Sequence, residues 1–135
     1  MRTALKGKLA GISEVNSIVS GVFTPPIPES VNYPLITIQC ISDGSAFLLS
    51  GAAGAVTDTW QIDVYASGAG AWTIVDALAK AIKAEINGVS GETWNGKIVT
   101  SCKFDDGRDL PSNQVQGQEG LARRTQDYRI RYLTA

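Results

Sequence analysis

The sequence contains no histidine, which removes the most common general base, the usual activator of nucleophiles and a frequent zinc ligand. Only two cysteines, Cys40 and Cys102, occur among the 135 residues, too few for a disulfide scaffold or a paired-cysteine metal site. Both lie in apolar, strand-like runs, so we expect them to be reduced and buried in a reducing cytoplasm. These absences exclude most familiar hydrolase arrangements.

Long apolar runs and a strong net charge are also missing. No stretch reaches the ~18 residues of a spanning helix, and the first ten residues lack signal-peptide features, so we expect a soluble, unprocessed chain. Twelve basic and thirteen acidic residues give a net charge of −1, and bulk electrostatics therefore favour neither nucleic-acid nor membrane-surface binding. The length predicts a single domain over residues 1–135, and an apolar fraction of 44% excludes gross disorder.

The apolar residues follow two regular periods. Helical spacing occurs in the first dozen residues and again over residues 72–86, whereas residues 56–65 and 121–133 alternate as strands do. We therefore predict an α+β fold, with a mainly antiparallel sheet of about four strands packed on one long helix and a short N-terminal helix. The predicted sheet–helix core comprises Trp60, Ile62, Val64, Trp72, Leu78, Ile82, Tyr128 and Ile130.

Two further segments have neither period. Residues 45–55 are rich in glycine and alanine, and residues 105–120 are polar and contain Pro111. Such segments bury too little apolar surface to offset the entropy of ordering them. We interpret both as loops that are mobile in the free subunit and become ordered against a partner.

An acidic cluster is the best candidate for enzymatic chemistry. Asp105, Asp106 and Asp109 surround Arg108, and carboxylates this close in sequence can hold magnesium or calcium. Their spacing matches no calcium-loop pattern, however. We favour the interpretation that these charges cap and pair within a loop.

Four arginines fall within residues 123–131, and strand alternation places Arg123, Arg129 and Arg131 on one face. Such a row can contact a phosphate backbone or the carboxylates of a partner. Alternatively, it pairs across strands, on a solvated face, with Asp58, Asp63 or Asp127. Sequence-specific recognition of nucleic acid is disfavoured because no aromatic side chains are interleaved with the arginines.

Five segments, taken in order, resemble the tail-completion (tail terminator) proteins of long-tailed bacteriophages and prophages. They are VFTP at residues 22–25, PLITIQCIS at 34–42, QIDVYA at 61–66, DDGRDL at 105–110 and RRTQDYRIRY at 123–132. The resemblance covers nearly the whole chain and rests on the ordered set, because each segment alone is partly a strand pattern. Residues 44–55 and 115–119 depart from it, so loop contacts cannot be transferred residue by residue.

The resemblance implies a structural protein of the virion tail, assembled in the host cytoplasm, with no catalytic residues, metal or cofactor. Family members look like small α+β subunits that form a ring, usually six-fold, on the head-proximal end of the tail tube. The ring stops tube polymerisation and joins the tail to the head connector. The expected partners are therefore further copies of the chain, the tube protein and connector proteins, with DNA close by in the lumen.

The residues that we expect to make subunit or tube contacts carry charge: Arg123, Arg129, Arg131, Asp105, Asp106, Arg108 and Asp109. For the arginine face we expect carboxylates of the neighbouring subunit rather than DNA, because a DNA-lining role would more naturally bring a basic excess. Two alternatives remain open: a head–tail connector or neck protein, and a metal-dependent enzyme built on the aspartate cluster.

Overall fold

The computed structural model describes residues 1–27, 31–42, 45–48, 51–110 and 121–133, with only the backbone described for 45–48 and 51–53. The helices are α1 (Arg2–Ala10), α2 (Ser13–Asn16) and α3 (Ala71–Ile86). The strands are β1 (Val22–Phe23), β2 (Leu35–Ser42), β3 (Ser45–Leu48), β4 (Gly51–Ala66), β5 (Glu92–Trp94), β6 (Lys97–Leu110) and β7 (Ala122–Leu133). None of the described helices is long and apolar enough to cross a membrane.

All the strands belong to one mixed sheet. Six of them follow the order β1-β2-β4-β7-β6-β5, and β3 pairs with the first residues of β4. Only β1 and β2 are parallel, and every other described pair is antiparallel. The predicted α+β class is confirmed, but within the described residues the sheet has seven strands rather than about four. Strands as short as β1, β3 and β5 are too brief to establish a two-residue period.

The core lies between one sheet face and the helices. In α3 the buried stripe runs through Ala71, Val75, Leu78, Ile82 and Ile86, and α1 contributes Leu5 and Leu9. Seven of the eight predicted core residues are buried. Trp72 is the exception at 45% exposed, because it lies one residue, about 100°, away from the stripe that begins at Ala71.

Two substitutions in α3 test this orientation. We expect Ile82→Ala to lower the free energy of unfolding by about 2–5 kcal/mol, because Ile82 is fully buried. The matched variant Trp72→Ala removes a larger but exposed side chain and should change the free energy of unfolding by no more than about 0.5 kcal/mol. Urea denaturation followed by circular dichroism gives both values, and the reverse order would contradict the assigned stripe.

The N-terminal helix is attached to the rest of the fold by a polar cluster. Lys8 Nζ forms an ion pair with Glu85 of α3 at 3.2 Å and a shorter one with Glu92 of β5. Trp94 Nε1 also donates to Glu92 Oε1 at 2.8 Å. The hydrogen bonds from Lys8 and then Trp94 lower the pKa of Glu92 below its ordinary value. Burial alone would lower the pKa of Lys8, but its bonds to Glu92 and Glu85 raise it.

This cluster should make stability depend on pH in the acidic range. A lowered carboxyl pKa contributes stability that is present above the ordinary pKa of 4.5 and is lost as pH falls through the lower, folded-state value. Glu92→Gln should therefore lower the melting temperature near pH 7. The difference in melting temperature from the wild type should shrink as pH falls below 4.5.

The control is Glu85→Gln, which also removes a carboxylate bound to Lys8, but one held by the longer 3.2 Å contact, whereas Glu92 also accepts the hydrogen bond from Trp94. Its effect near pH 7 should be smaller. Thermal unfolding measured from acidic to neutral pH checks both variants. An equal Glu92→Gln difference at every pH would show that the carboxylate charge is irrelevant to stability.

The structure corrects the two predicted loops. Residues 105–110 belong to β6, residues 51–55 to β4 and residues 45–48 to β3. Residues 43–44, 49–50 and 111–120 lie outside the described part of the chain, so the loop prediction stays a prediction there. Asn95 and Gly96 form the turn between β5 and β6, with φ of +47° and +85°.

The two cysteines lie on different strands. Cys40 is in β2 and Cys102 in β6, with β4 and β7 between them. Three strand spacings of about 4.8 Å separate them by roughly 14 Å, beyond the reach of a disulfide. Burial raises the pKa of the Cys102 thiol to about 12, which keeps it protonated at neutral pH.

Candidate functional site: the outer sheet face

The arginine row lies on the sheet face that points away from α3. Alternation along β7 turns Tyr128 and Ile130 into the core, and the Gln126 side chain donates to the Ala79 carbonyl of α3. The residues between them project from the opposite, outer face: Arg123, Thr125, Asp127, Arg129 and Arg131. The predicted common face of Arg123, Arg129 and Arg131 is therefore confirmed, and the register with β4 and β6 decides which partner each arginine meets.

Arg123 is held inside the subunit. Its guanidinium lies 2.7 Å from Asp63 Oδ2, and the Asp63 side chain is only 3% exposed. Gln61 Nε2 donates to both oxygens of the same carboxylate, at 3.2 and 3.1 Å, and Arg123 stacks 5.3 Å from the ring centre of Tyr65. This is the cross-strand pairing that the sequence left open as an alternative to partner contact.

Three polar atoms next to this pair are buried and have no hydrogen-bond partner among the described residues. They are Arg123 Nε, Thr125 Oγ1 and Asp127 Oδ1, in a row along β7. Most buried polar atoms in folded proteins are hydrogen-bonded, and one that is not costs about 1–3 kcal/mol. These side chains are therefore buried, but each has one polar atom that forms no hydrogen bond with the described residues.

Comparing two arginines of one strand face tests their different roles. Arg123→Met should lower the free energy of unfolding by about 1–3 kcal/mol, because it leaves the buried Asp63 carboxylate without its cation. Arg129→Met should change it by no more than about 0.5 kcal/mol, because Arg129 is 60% exposed. Equal values in chemical denaturation would show that the Asp63 pair does not contribute to stability.

The predicted aspartate cluster is not formed. Asp106 and Asp127 are register partners on the outer face, whereas Asp109 pairs in register with Arg124 on the face towards α3. A β-bulge between Phe104 and Asp106 shifts the alternation of β6 at this point. The three aspartates therefore do not converge, because Asp106 and Asp109, three residues apart on one strand, point to opposite faces.

Each aspartate of the set has an arginine partner. The pairs are Asp105–Arg129 at 3.6 Å, Asp106–Arg108 at 3.2 Å and Asp109–Arg124 at 2.8 Å, and Arg108 also reaches Asp127 at 3.3 Å. Within the described residues no group of three or more carboxylate or cysteine side chains could hold a metal ion. A metal-dependent enzyme built on these aspartates would need their carboxylates to meet at one point. In the described residues they do not.

The half of the outer face nearest the C-terminal end of β7 is basic. Lys103 lies directly opposite Arg129, and Arg131 lies opposite Ser101, so three cations occupy neighbouring positions on β6 and β7. We call Lys103, Arg129 and Arg131 the basic patch. Thr59 and Thr57 flank Arg129 and Arg131 on β4. Among the described carboxylates, only Asp105 comes within 4 Å of a patch cation.

Two depressions lie on the helical side. A groove of about 750 Å³ runs between α1 and the β5–β6 turn, with Gly7, Gly11 and Trp94 in its wall. A smaller one of about 320 Å³ beside α3 is lined by Asp76, Lys80, Lys83 and Arg124. Three of the charged groups that line the larger groove are bound to one another: Lys8, Glu85 and Glu92.

Sequence reasoning missed Lys103 and Gln61 as parts of this face, whereas it gave Asp63 as one possible cross-strand partner of the arginines. Alternation along β4 placed Gln61 and Asp63 on its polar side, but which β7 residue lies opposite each of them depends on strand register. Lys103 carried no signal, because a single lysine in a strand is common on a solvated face.

No protein-family model matches this chain, and no curated protein sequence is similar to it. Among solved structures, the chain is similar to a chain of the virion of the native gene transfer agent (GTA) particle. The TM-score is 0.65 at 18% sequence identity, and the match covers 98% of this chain and 90% of the other. At that identity the likeness shows a shared fold over nearly the full length.

Proposed function

We propose that this chain is a structural protein of a phage-like virion, and within it a tail-completion protein that caps the head-proximal end of the tail tube as a ring and joins it to the head connector. The observation that carries the proposal is the fold shared with a chain of the GTA virion over 98% of this chain. The ordered sequence segments that resemble tail-completion proteins support the finer role independently, because they come from residue patterns rather than from the backbone.

The outer face supports an assembly role. A closed ring needs heterologous contacts, in which one surface of a subunit meets a different surface of the next. The end of β6 offers exposed charges of both signs, Asp106 at 63% and Arg108 at 42% exposed, which can exchange internal partners for external ones.

We therefore assign the contacts with the neighbouring subunit or the tube to the charged residues at the end of β6. They are Asp105, Asp106, Arg108 and Asp109. Arg123, which we also expected to make such a contact, is not among them because it is paired with the buried Asp63. This role needs no catalytic group, metal or cofactor. It requires only that the charges stay exposed on a rigid sheet, where their positions are fixed by strand pairing.

A head–tail connector or neck protein is the second candidate. The fold likeness is to a chain of a whole virion particle, and a neck position explains it as well as a tail position does. The two roles differ in partner, since a terminator binds the tube end and stops its growth. Deleting the gene from its phage or prophage and measuring tail lengths by electron microscopy separates them: overlong tubes indicate a terminator, whereas tails of normal length that fail to join heads indicate a connector.

A charge reversal tests the assigned subunit surface. Asp106→Lys should weaken ring formation by about tenfold or more, because each reversed charge would meet like charges in the neighbour. The monomer should remain folded, since the Asp106 side chain is 63% exposed. Sedimentation velocity and negative-stain microscopy of the purified protein measure assembly.

The matched control is Asp76→Lys, which makes the same charge change on the exposed side of α3. It should assemble as the wild type does. Rings that form equally well in both variants would remove the end of β6 from the subunit interface, and a wild-type protein without rings at any concentration would contradict the ring itself.

A further inference from the structure

The basic patch has few anions within its own subunit. Arg129 has one weak partner, Asp105 at 3.6 Å, and the two side chains are 60% and 47% exposed. No described carboxylate lies within 4 Å of Lys103 or Arg131. Lys103 and Arg129 are nevertheless directly opposite each other, about 5 Å apart at Cβ, where like charges destabilise a sheet. An external anion would relieve this repulsion.

Another copy of the chain is a poor source of that anion. Most described carboxylates already lie within 4 Å of a cation of their own subunit: Asp63, Glu85, Glu92, Asp105, Asp106, Asp109 and Asp127. Recruiting one of them to the patch would break an existing ion pair. The carboxylates of a neighbouring subunit are therefore poorer partners for Arg129 and Arg131 than we expected from the sequence.

The composition of the patch also differs from a protein-binding surface. Protein interfaces place aromatic and apolar anchors at the centre and are depleted in charge there. Here the centre is cationic, and its neighbours on the strands are the hydroxyl residues Thr57, Thr59 and Ser101. Cations together with hydroxyl donors on a rigid surface are the groups that contact phosphate oxygens.

We propose that Lys103, Arg129 and Arg131 form a sequence-independent contact for the phosphate backbone of duplex DNA. Duplex DNA is thus the partner that we assign to the basic patch. This assignment rests on the proposed function only for the source of the DNA, which is the genome carried by the virion. Three cations per subunit neutralise few phosphates, so each contact is weak and DNA can slide past it. A net charge of −1 is compatible with such a contact.

The test compares two double variants that lower the net charge equally. Arg129→Gln/Arg131→Gln removes two patch cations, whereas Lys6→Gln/Lys80→Gln removes two from the helices α1 and α3. Fluorescence anisotropy with a labelled duplex of about 30 base pairs and mixed sequence, titrated from about 50 to 200 mM salt, gives the salt dependence of binding.

We expect the patch variant to lose about 1.8 from the slope of log affinity against log salt, or roughly 0.9 per lost phosphate contact. The helix variant should keep the wild-type slope. Arg129→Lys/Arg131→Lys should also keep it, because a point charge is enough for a phosphate contact that needs no bidentate geometry. Circular dichroism confirms that each variant is folded.

Two results would overturn the proposal. Equal slope losses in the patch and helix variants would mean that any DNA binding reflects bulk charge alone. Loss of rings in the patch variant without a change in slope would make the patch a protein contact. Microscopy of the same samples keeps the two proposals apart: patch-dependent DNA binding without wild-type rings refutes only the ring, and rings without patch-dependent binding refute only the DNA contact.

Discussion

The antiparallel pairing of β4 with β7 is the constraint on which the rest of the structure depends. It runs without interruption from Ala55 opposite Leu133 to Ala66 opposite Ala122. Because side chains alternate strictly, packing Ile62 and Tyr128 against α3 forces Asp63 and Arg123 onto the outer face. A slip of one residue would bury the arginine row and expose the core. The apolar core and the charged outer face are therefore specified by the same register.

The long, strongly periodic elements were predictable because their signal is local. The α3 stripe and the alternation of β4 and β7 follow from residues within a few positions of one another. Trp72 was assigned to the core wrongly because a bulky aromatic one position off the stripe still fits a loose helical count. The end of β6 was mistaken for a loop because Asp105–Leu110, as written in sequence, is polar at nearly every position. A strand whose faces both carry charged pairs has no apolar period to reveal it.

The partners of the charges could not be predicted for a different reason. Ion pairs such as Arg123–Asp63 join residues sixty positions apart. A bulge in β6 shifts the register so that Asp109 lies opposite Arg124 rather than Arg123. Both depend on register between distant strands, which no local pattern contains. As a result, one row of similar arginines has members with different roles: Arg123 neutralises a buried carboxylate, whereas Arg129 and Arg131 remain exposed to partners.

Net charge is a poor guide to such a surface, because screening limits how far each charge acts. At physiological ionic strength the Debye length is about 8 Å, and the patch positions lie about 5–8 Å apart along and across β6 and β7. Most of the described acidic residues are bound to cations outside the patch or lie on the side of α3. A partner at the basic patch therefore meets a local positive potential. In the virion role that we propose, this separation allows strong contacts between subunits at the end of β6 to coexist with weak contacts to moving DNA on the same sheet face.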